Sequence, residues 1–357
     1  MNMPKTLLGL LVAIALYGCA SQEPQGPKYD LSLYDGRPVD SLTSEALPAS
    51  ETEAISRGDT ALRSNNNDLA LYEYIRALSF PDAKYQDKTL YNIGRIHESR
   101  GNIALADKAY TMALEYNPNS VKALEQLGAI YSKQGRVDEG KSYFLRALNA
   151  DQVRLKNSKT MTGKLSTMQE INQLKVDNAS PATAYLGLGV LSDVDAQHLL
   201  AEAYYLKALE IKPNSVKGML NLGYSYYMSG QYDKAERYTL AALEKDPENK
   251  KGQNNLALIY LGKDEIPRAT NIFMRSMGAP EALNNVGYFL ILQGKPDKAI
   301  PYLQEAIDKK PSYYKLANEN LERALAWFVS KKPSRQAKLP LLRANYNERM
   351  ICGERRA

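Results

Sequence analysis

A repeat of 34 residues is the feature of this sequence that most restricts its fold. Gly94 and Gly128 are 34 positions apart, and the same interval separates Pro213 from Pro247. A fixed period of this length indicates an array in which each repeat is one supersecondary unit packed on its neighbours in the chain. The sequence therefore predicts a stack of similar units rather than a single globular core.

Small and apolar residues fall at fixed positions within each repeat. Blocks that begin at residues 87, 121, 182, 216 and 280 all have apolar residues at positions 4 and 7 and glycine at position 8. Apolar residues at positions 4, 7 and 11 predict the buried stripe of a helix A, and those at 24 and 27 predict that of a helix B. Small residues at positions 8 and 20 allow the two helices to approach closely. Gly near position 15 permits the turn, and Pro at position 32 ends helix B.

These positions match the tetratricopeptide (TPR) pattern, so the chain resembles TPR proteins. The resemblance implies an all-α TPR solenoid, a right-handed superhelix of helix-turn-helix repeats that the A helices line on the inside. Weaker blocks begin near Glu51 and at Lys250, which brings the array to about seven repeats over residues 51–330. A C-terminal capping helix is predicted at residues 314–330 from its apolar residues, Leu316, Leu321, Leu325, Trp327 and Phe328.

An insertion at residues 155–181 interrupts the period, between repeats at 51–154 and repeats at 182–313. Within it Leu165, Met168, Ile171 and Leu174 recur every three residues, which predicts a short amphipathic helix. Two interpretations remain open. The insertion is either a docking element or hinge between two subarrays, or a loop helix folded back on the repeats.

The first residues have the features of a bacterial export signal. Lys5 precedes an apolar stretch of about ten residues at 7–16, shorter than the roughly 20 that a membrane-spanning helix needs. Leu-Tyr-Gly then precedes Cys19, and this run resembles the lipobox of bacterial lipoproteins. The resemblance implies a signal peptide at residues 1–18 and fatty acylation, with palmitate among the chains, at Cys19.

The residues that flank the repeats complete the organisation of the chain. Ala20 follows the lipobox cysteine, which in lipoproteins of this type implies sorting to the outer membrane, facing the periplasm. Residues 19–50 are rich in Pro, Ser, Gly and acidic residues and predict a flexible tether. Residues 331–357 form a basic tail, interpreted as a solvated terminus or as an arm that contacts lipid headgroups or an acidic partner. With Cys19 acylated, Cys352 is the remaining thiol, which excludes an intrachain disulfide framework.

No catalytic, metal or cofactor site is indicated by the sequence. Its two histidines, His97 and His198, are far apart, and no Gly-rich phosphate loop, CxxC pair or nucleophile elbow is present. The formal net charge of +6 is mild for 357 residues and does not indicate nucleic-acid binding. We therefore expect a protein that is not an enzyme, needs no cofactor, and binds neither nucleic acid nor a small-molecule substrate.

Function is expected in the groove lined by the A helices, where TPR proteins use positions 2, 5, 6, 9 and 12. Lysine recurs at position 2 and asparagine at position 6. Asparagine amides can bind an extended peptide backbone, lysines favour acidic or C-terminal carboxylate groups, and tyrosines can anchor apolar side chains. The alternative is a solvated surface that merely follows common TPR usage. The candidate peptide-binding residues are Lys217, Asn221, Tyr224, Tyr227, Lys251, Asn255, Asn285 and Tyr288.

The C-terminal half carries a more specific resemblance. The runs NNLAL at 254–258, ALNNVGY at 282–288 and LQGK at 292–295 resemble TadD, the TPR lipoprotein family of tight-adherence (Flp) pilus assembly. This resemblance implies a protein-binding scaffold that helps to place or stabilise the pilus secretin at the outer membrane. Two alternatives stay open: a type IV pilus pilotin, and an adaptor lipoprotein for a periplasmic protease or cell-wall hydrolase.

Overall fold

A computed structural model describes residues 31–37, 46–161 and 167–329, and the regular structure within these ranges is helical. A short 3₁₀ turn, Leu31–Leu33, precedes sixteen α-helices in the described part of the chain. Their bounds are α1 (Glu51–Arg63), α2 (Asn67–Leu78), α3 (Gln86–Ser99), α4 (Ile103–Tyr116), α5 (Val121–Lys133), α6 (Val137–Arg154), α7 (Met168–Asn172), α8 (Ala182–Val194), α9 (His198–Ile211), α10 (Val216–Met228), α11 (Tyr232–Lys245), α12 (Lys250–Gly262), α13 (Ile266–Met277), α14 (Ala279–Leu292), α15 (Pro296–Asp308) and α16 (Lys315–Val329).

The helices form consecutive A–B pairs, which confirms the predicted TPR solenoid. Among the described residues, α1–α6 and α8–α15 make seven pairs, and α16 follows as a single capping helix. The chain divides into two compact units: the first ends at Tyr85 and contains α1 and α2, and the second begins at Gln86 and contains α3–α16. Within the second unit the A helices α5, α8, α10, α12 and α14 each contact the A helix that comes next, so they form one continuous face.

The repeat that begins at residue 216 shows how the sequence sets helix ends. Pro213 lies just after α9, where a residue without an amide hydrogen cannot continue the helix. Ser215 caps α10, because its side chain accepts a hydrogen bond from the amide of Gly218. Gly230, in the turn between α10 and α11, has a φ of 76°, a left-handed conformation that glycine adopts without strain.

The glycines at position 8 face the side chain at position 24 of helix B, which is an aromatic ring in three of the five regular repeats. A Cβ on Gly189 would lie 2.5 Å from Cε1 of Tyr205, which stands sixteen positions later. The same pairing joins Gly94 to Tyr110 and Gly128 to Phe144. Gly223 and Gly287 face Thr239 and Leu303 in the same way. The sequence pattern pointed to small residues at positions 8 and 20, but the side chain at position 24 is the group that lies against the glycine.

Tyrosines at position 11 of helix A link successive pairs. The Tyr260 hydroxyl donates to Oε1 of Glu236 in the preceding helix B, at 3.0 Å. The guanidinium of Arg268 lies 3.8 Å from the centroid of the same ring. Equivalent hydroxyl bonds of 2.7 Å join Tyr131 to Asp107 and Tyr226 to Glu202. Each ring is thus buried against the stack while its hydroxyl keeps a partner across the repeat boundary.

The insertion packs back on the second unit. Its helix α7 has five residues, and Ile171 and Leu174 are buried in the same core cluster as residues of α6 and α8. Met168 is 40% exposed, so it does not belong to the buried stripe that the sequence pattern predicted. Leu165 lies outside the described residues. Because α6 and α8 contact each other directly, the insertion does not divide this unit.

Two amide side chains of α6 hold the insertion by its backbone. Nδ2 of Asn149 donates to the Met161 carbonyl at 3.2 Å, and the Met161 amide donates back to Oδ1 at 2.6 Å. Gln152 pairs in the same way with the carbonyl and amide of Lys175, at 2.9 and 3.0 Å. Each amide therefore satisfies a donor and an acceptor of an irregular segment, which is the arrangement expected of a folded-back loop.

The capping helix packs through one of the predicted residues, Leu321, but its most buried residues are not the predicted ones. Ala317, Asn320 and Ala324 are at most 2% exposed, and Nδ2 of Asn320 donates to Oδ1 of Asn284 at 2.9 Å. Small residues let α16 approach α14 and α15 closely. The predicted apolar residues that are instead exposed are Leu316 (51%), Leu325 (47%) and Trp327 (37%).

Several sequence predictions fall outside the described residues. They concern the signal peptide at residues 1–18, the acylation of Cys19, and the basic tail at residues 331–357 with Cys352. The tether at residues 19–50 is described only at 31–37 and 46–50. No helix in the described part of the chain is long and apolar enough to cross a membrane.

Replacing Gly189 by alanine tests the glycine–ring contact. Helix propensity alone would make this change stabilising by about 1 kcal/mol. Overpacking against Tyr205 costs about 1–3 kcal/mol, so we expect a net loss of stability. Chemical denaturation of Gly189→Ala measures the sign. The control is Ala257→Gly at the same position of another repeat, which should cost about 1 kcal/mol through propensity. A stabilised Gly189→Ala variant would show that the ring does not limit the approach of the two helices.

The pKa of Glu236 gives a second test. Burial raises this pKa, but hydrogen bonds from Lys263 and Tyr260 and the charges of Lys263 and Arg268 outweigh burial and lower it below 4.5. A depressed carboxyl pKa stabilises the fold above the unfolded-state value, and the contribution is lost as pH falls through the folded-state value. We expect the free energy of unfolding of the wild type to fall more steeply below pH 4.5 than that of Glu236→Gln.

Urea denaturation at a series of pH values between 3 and 7 measures this difference. The matched control is Glu244→Gln, a change at an exposed glutamate of the same helix, α11. Parallel pH profiles for the wild type and Glu236→Gln would contradict the assigned role of the Glu236 carboxylate.

Candidate peptide-binding groove

The candidate groove residues lie on the continuous face of A helices in the second unit. Lys217 and Lys251 are the second residues of α10 and α12, so they occupy equivalent places on adjoining helices. Both side chains are exposed. Two lysine side chains near the first residues of adjoining A helices favour a ligand with negative charge at that end of the groove.

The three candidate asparagines differ in their environments. Asn221 is 7% exposed, and its Nδ2 is buried without a hydrogen-bond partner in the described part of the chain. Asn255 is half-buried. Asn285 is also half-buried, and its Nδ2 lies 3.0 Å from the sulfur of Met277. The predicted ladder of equivalent amides is thus uneven, and Asn255 and Asn285 are its accessible members.

The tyrosines of α10 pack on one another at the C-terminal end of that helix. The rings of Tyr224 and Tyr227 are 5.8 Å apart, and the ring of Tyr232 lies 6.0 Å from that of Tyr227. Burial, with a smaller contribution from the charge of Asp193, raises the pKa of Tyr224 to about 12. The side chain of Gln293 hydrogen-bonds the Tyr227 hydroxyl, although burial still raises the pKa of that tyrosine. These rings therefore form part of the groove floor and expose only part of their surface.

Tyr288, the fourth candidate aromatic residue, is half-buried on α14. Its ring meets that of Phe289 edge-on at 5.5 Å. Asn284, the residue before the candidate Asn285, is 2% exposed and accepts a hydrogen bond from Asn320 of the capping helix. One of the two neighbouring asparagines thus fixes the cap, and Asn285 remains on the groove side.

The row of position-6 amides stops at α8. Gly187 occupies that position, and a Cβ there would overlap the ring of Phe144. No asparagine fits in this place, because the ring fills the space that its side chain would need. The candidate surface therefore begins at α10 and continues over α12 and α14.

Asp193 organises the turn between α8 and α9, and the sequence analysis did not identify it. Its side chain is 4% exposed, and Oδ1 accepts a hydrogen bond from the Ser225 hydroxyl at 2.7 Å and lies 2.9 Å from Nδ1 of His198. Oδ2 accepts from the Tyr205 hydroxyl at 2.9 Å. Burial raises the pKa of this carboxyl, although its three partners oppose the shift. His198, isolated in the sequence, thus belongs to a structural cluster that joins α8, α9 and α10.

Glu125 of α5 is a second carboxylate that the sequence analysis did not identify. Its Oε1 accepts hydrogen bonds from the amides of Thr183 and Ala184, at 2.7 and 3.1 Å. Those amides open α8, whose N-cap residue, Pro181, supplies no side-chain hydrogen bond. Burial raises the pKa of Glu125, and the two amides oppose that shift. A groove-side residue of one repeat therefore caps the helix that follows the insertion.

The described residues hold no group of three or more His, Cys, Asp or Glu side chains suited to a metal ion. His97 is fully buried. The polar groups of the candidate residues are amides, amines and phenols, which suit hydrogen bonding and charge pairing with a polypeptide.

Comparison with known proteins identifies tetratricopeptide repeats within the chain. The tetratricopeptide repeat family matches residues 87–120, 109–141, 204–237 and 280–313. Photosystem I assembly protein Ycf3 of Cyanophora paradoxa is 39% identical over 67 residues, which are 18% of this chain and 39% of that protein. Tetratricopeptide repeat protein 8 of Caenorhabditis elegans is 30% identical over 77 residues, 22% of this chain and 15% of that one. The chain thus spans well under half of the length of these relatives.

Solved structures of similar proteins include other TPR proteins. A tetratricopeptide repeat protein from Parabacteroides merdae is 18% identical, with a TM-score of 0.47, over 78% of this chain and 100% of that one. PilF of Pseudomonas aeruginosa is 17% identical, with a TM-score of 0.48, over 64% of this chain and 91% of that one. TPR domains bind protein partners, and this chain contains such repeats.

Loss of the Glu125 carboxylate should loosen the start of α8. We expect Glu125→Ala to cost about 1–2 kcal/mol, the loss of a helix cap, and Glu125→Gln to cost less because its amide oxygen still accepts. Chemical denaturation measures the cost, and hydrogen exchange at the Thr183 and Ala184 amides locates it. Glu115→Ala, at an exposed glutamate of α4, is the control. Unchanged exchange at the two amides would show that Glu125 does not cap α8.

Proposed function

We propose that this chain is a lipid-anchored TPR scaffold on the periplasmic face of the outer membrane, with a binding role rather than a catalytic one. In this proposal it binds protein partners during assembly of a tight-adherence (Flp-type) pilus and supports the outer-membrane secretin. The observation that carries the proposal is the row of exposed lysines and accessible asparagines along adjoining helices of one face, Lys217, Lys251, Asn255 and Asn285.

The dimensions of this row suit an extended peptide. Packed helices lie about 8–10 Å apart, so the two steps from α10 to α14 cover about 20 Å. An extended chain advances about 3.3 Å per residue, and about six residues therefore fit along the row. Asn255 and Asn285 provide donors and acceptors for main-chain groups, which alternate in the same way along an extended strand.

The charge of the row favours an acidic segment or a chain terminus. Both groove lysines are exposed. A lysine ammonium is a point charge on a flexible stem, so it tolerates side-chain carboxylates and a C-terminal carboxylate alike. We therefore propose an extended peptide with acidic groups near the lysine end of the groove.

The membrane and pilus parts of the proposal rest on sequence resemblance. The lipobox-like run before Cys19 supports a lipid anchor, and Ala20 supports sorting to the outer membrane. The runs at 254–258, 282–288 and 292–295 support a place in tight-adherence pilus assembly. They cover α12 and α14, two of the three helices that form the proposed binding row.

Charge reversal at the two groove lysines tests the binding row. We expect Lys217→Glu/Lys251→Glu to lose a secretin or other pilus subunits from a pull-down out of detergent-solubilised envelopes, because acidic groups would then face glutamates. Partners are identified and quantified by mass spectrometry. The matched control is Lys159→Glu/Lys245→Glu, which makes the same change of charge at exposed lysines away from the row.

The possible outcomes separate the parts of the proposal. Loss of pilus subunits from the groove variant alone supports both the pilus assignment and the groove. Equal recovery with both variants keeps the pilus assignment and moves the contact away from the groove. Recovery of a protease or cell-wall hydrolase in place of pilus subunits would instead favour an adaptor lipoprotein.

A further inference from the structure

A short segment ahead of the repeats is bound to the first helix pair. Leu33 is 2% exposed, and the ring of Tyr34 meets that of Tyr72 on α2 edge-on at 6.5 Å. Nε of Arg37 donates to Oδ2 of Asp68, also on α2, at 2.8 Å. These contacts lie within residues 19–50, for which composition predicted a flexible tether.

The backbone of this segment forms a tight turn beside α2. The Tyr34 hydroxyl donates to the Arg37 carbonyl at 2.6 Å, which closes a tight turn. Gly36 lies in that turn, and a Cβ there would be 2.9 Å from Oδ1 of Asp68. The nearest atoms would be Oη and Cζ of Tyr34, at 2.7 and 2.8 Å, so glycine leaves room for the Tyr34 ring over the turn.

Helix α2 is covered more completely than the B helix of the following pair. Every residue from position 70 to 77 is buried, whereas α4 buries one stripe. The covered residues include an ion pair, in which Nη1 of Arg76 lies 2.9 Å from Oε1 of Glu73 and both side chains are at most 2% exposed. The Arg76 guanidinium also lies 5.0 Å from the ring centroid of Tyr72, the residue that Tyr34 contacts. An ion pair costs several kcal/mol to bury, so its presence beneath Tyr72 indicates a side of α2 that is covered in the folded protein.

We propose that residues 31–37 are a strap that ends the membrane tether on α2. The proposal rests on the anchor at Cys19 proposed above. Leu31 is twelve positions after Cys19, so the chain between anchor and strap reaches at most about 40 Å. Without the strap, the next contact among the described residues is that of the Ala46 carbonyl, which accepts from Nη1 of Arg57 at 2.7 Å. Ala46 is 27 positions after Cys19, which would allow a reach of about 95 Å.

The strap therefore sets how far the first helix pair can stand from the membrane. Its contacts with α2 combine one buried leucine, one pair of tyrosine rings and one partly exposed ion pair, Arg37–Asp68. Most of the strength of such a contact lies in apolar burial, since an exposed ion pair contributes little. Leu33 is the residue whose loss should release the strap.

Energy transfer to a vesicle surface tests the strap. The chain from Cys19, carrying Cys352→Ser, is coupled through Cys19 to maleimide lipid in phosphatidylethanolamine–phosphatidylglycerol vesicles that contain an acceptor-labelled lipid. The donor is attached through an azide-bearing amino acid at Ser64, an exposed residue in the α1–α2 turn. Chemical coupling sets the anchor, so a failure of the strap is distinguishable from a failure of biological acylation, which is tested separately by fatty-acid labelling in cells.

We expect Leu33→Asp to lower the transfer efficiency, and Leu47→Asp to leave it unchanged, because Leu47 is 59% exposed and outside the strap. In the same proteins, hydrogen exchange of the amides at residues 31–37 should accelerate by about tenfold or more with Leu33→Asp alone. Equal transfer efficiencies for Leu33→Asp and Leu47→Asp, or amides at 31–37 that already exchange freely in the wild type, would overturn the strap.

Discussion

The packing of a helix B side chain on a helix A glycine is the contact on which each regular repeat depends. The side chain at position 24 occupies the space in which a Cβ at position 8 would lie, as the ring of Tyr205 does over Gly189 and as Leu303 does over Gly287. This fixes how closely the two helices of a pair approach, and therefore where the remaining positions point. A tyrosine hydroxyl at position 11 then donates a hydrogen bond to the previous helix B, as that of Tyr260 does to Glu236. Spacing within a pair is thus set by a contact that recurs with the period, and tyrosines at position 11 add a link between pairs in three repeats.

The same contacts determine what remains for binding. Positions 4, 7, 8 and 11 of helix A face the core, so a ligand in the groove can contact only side chains at the other positions of helix A. Two of these other side chains also stabilise the fold, because Glu125 caps α8 and Asp193 joins three helices. Lys217 and Lys251 are exposed on this face, and Asn255 and Asn285 are half-buried there. The candidate binding groups therefore lie on α10, α12 and α14, and on α14 the capping helix binds Asn284 while Asn285 stays half-buried.

The 34-residue period was sufficient to predict the fold, but it did not predict which residues each side chain contacts. A repeat defines which residues are equivalent, and it located the seven pairs and the single helix after them. It could not separate Asn284 from Asn285, since adjacent residues on a helix differ by about 100° and the cap that binds Asn284 follows no repeat rule. For the same reason Leu316 and Trp327 looked like capping residues, while small residues of α16 form the actual contact. The sequence predicts equivalence within the array well, and it predicts poorly wherever the array ends or is interrupted.

The irregular segments are held on the repeats by contacts that also satisfy their backbone groups. A regular TPR pair leaves the outer side of helix B without a partner, and an irregular segment that lies there must satisfy its own backbone groups. In the second unit, Asn149 and Gln152 of α6 do this for the insertion with paired amide hydrogen bonds. In the first unit, Tyr34 closes a turn on its own backbone and the segment meets α2 through side chains. Both segments are bound to B helices, and the binding row of the second unit lies on its A helices. Irregular additions can therefore be fixed to this solenoid without occupying the surface on which a partner peptide would bind.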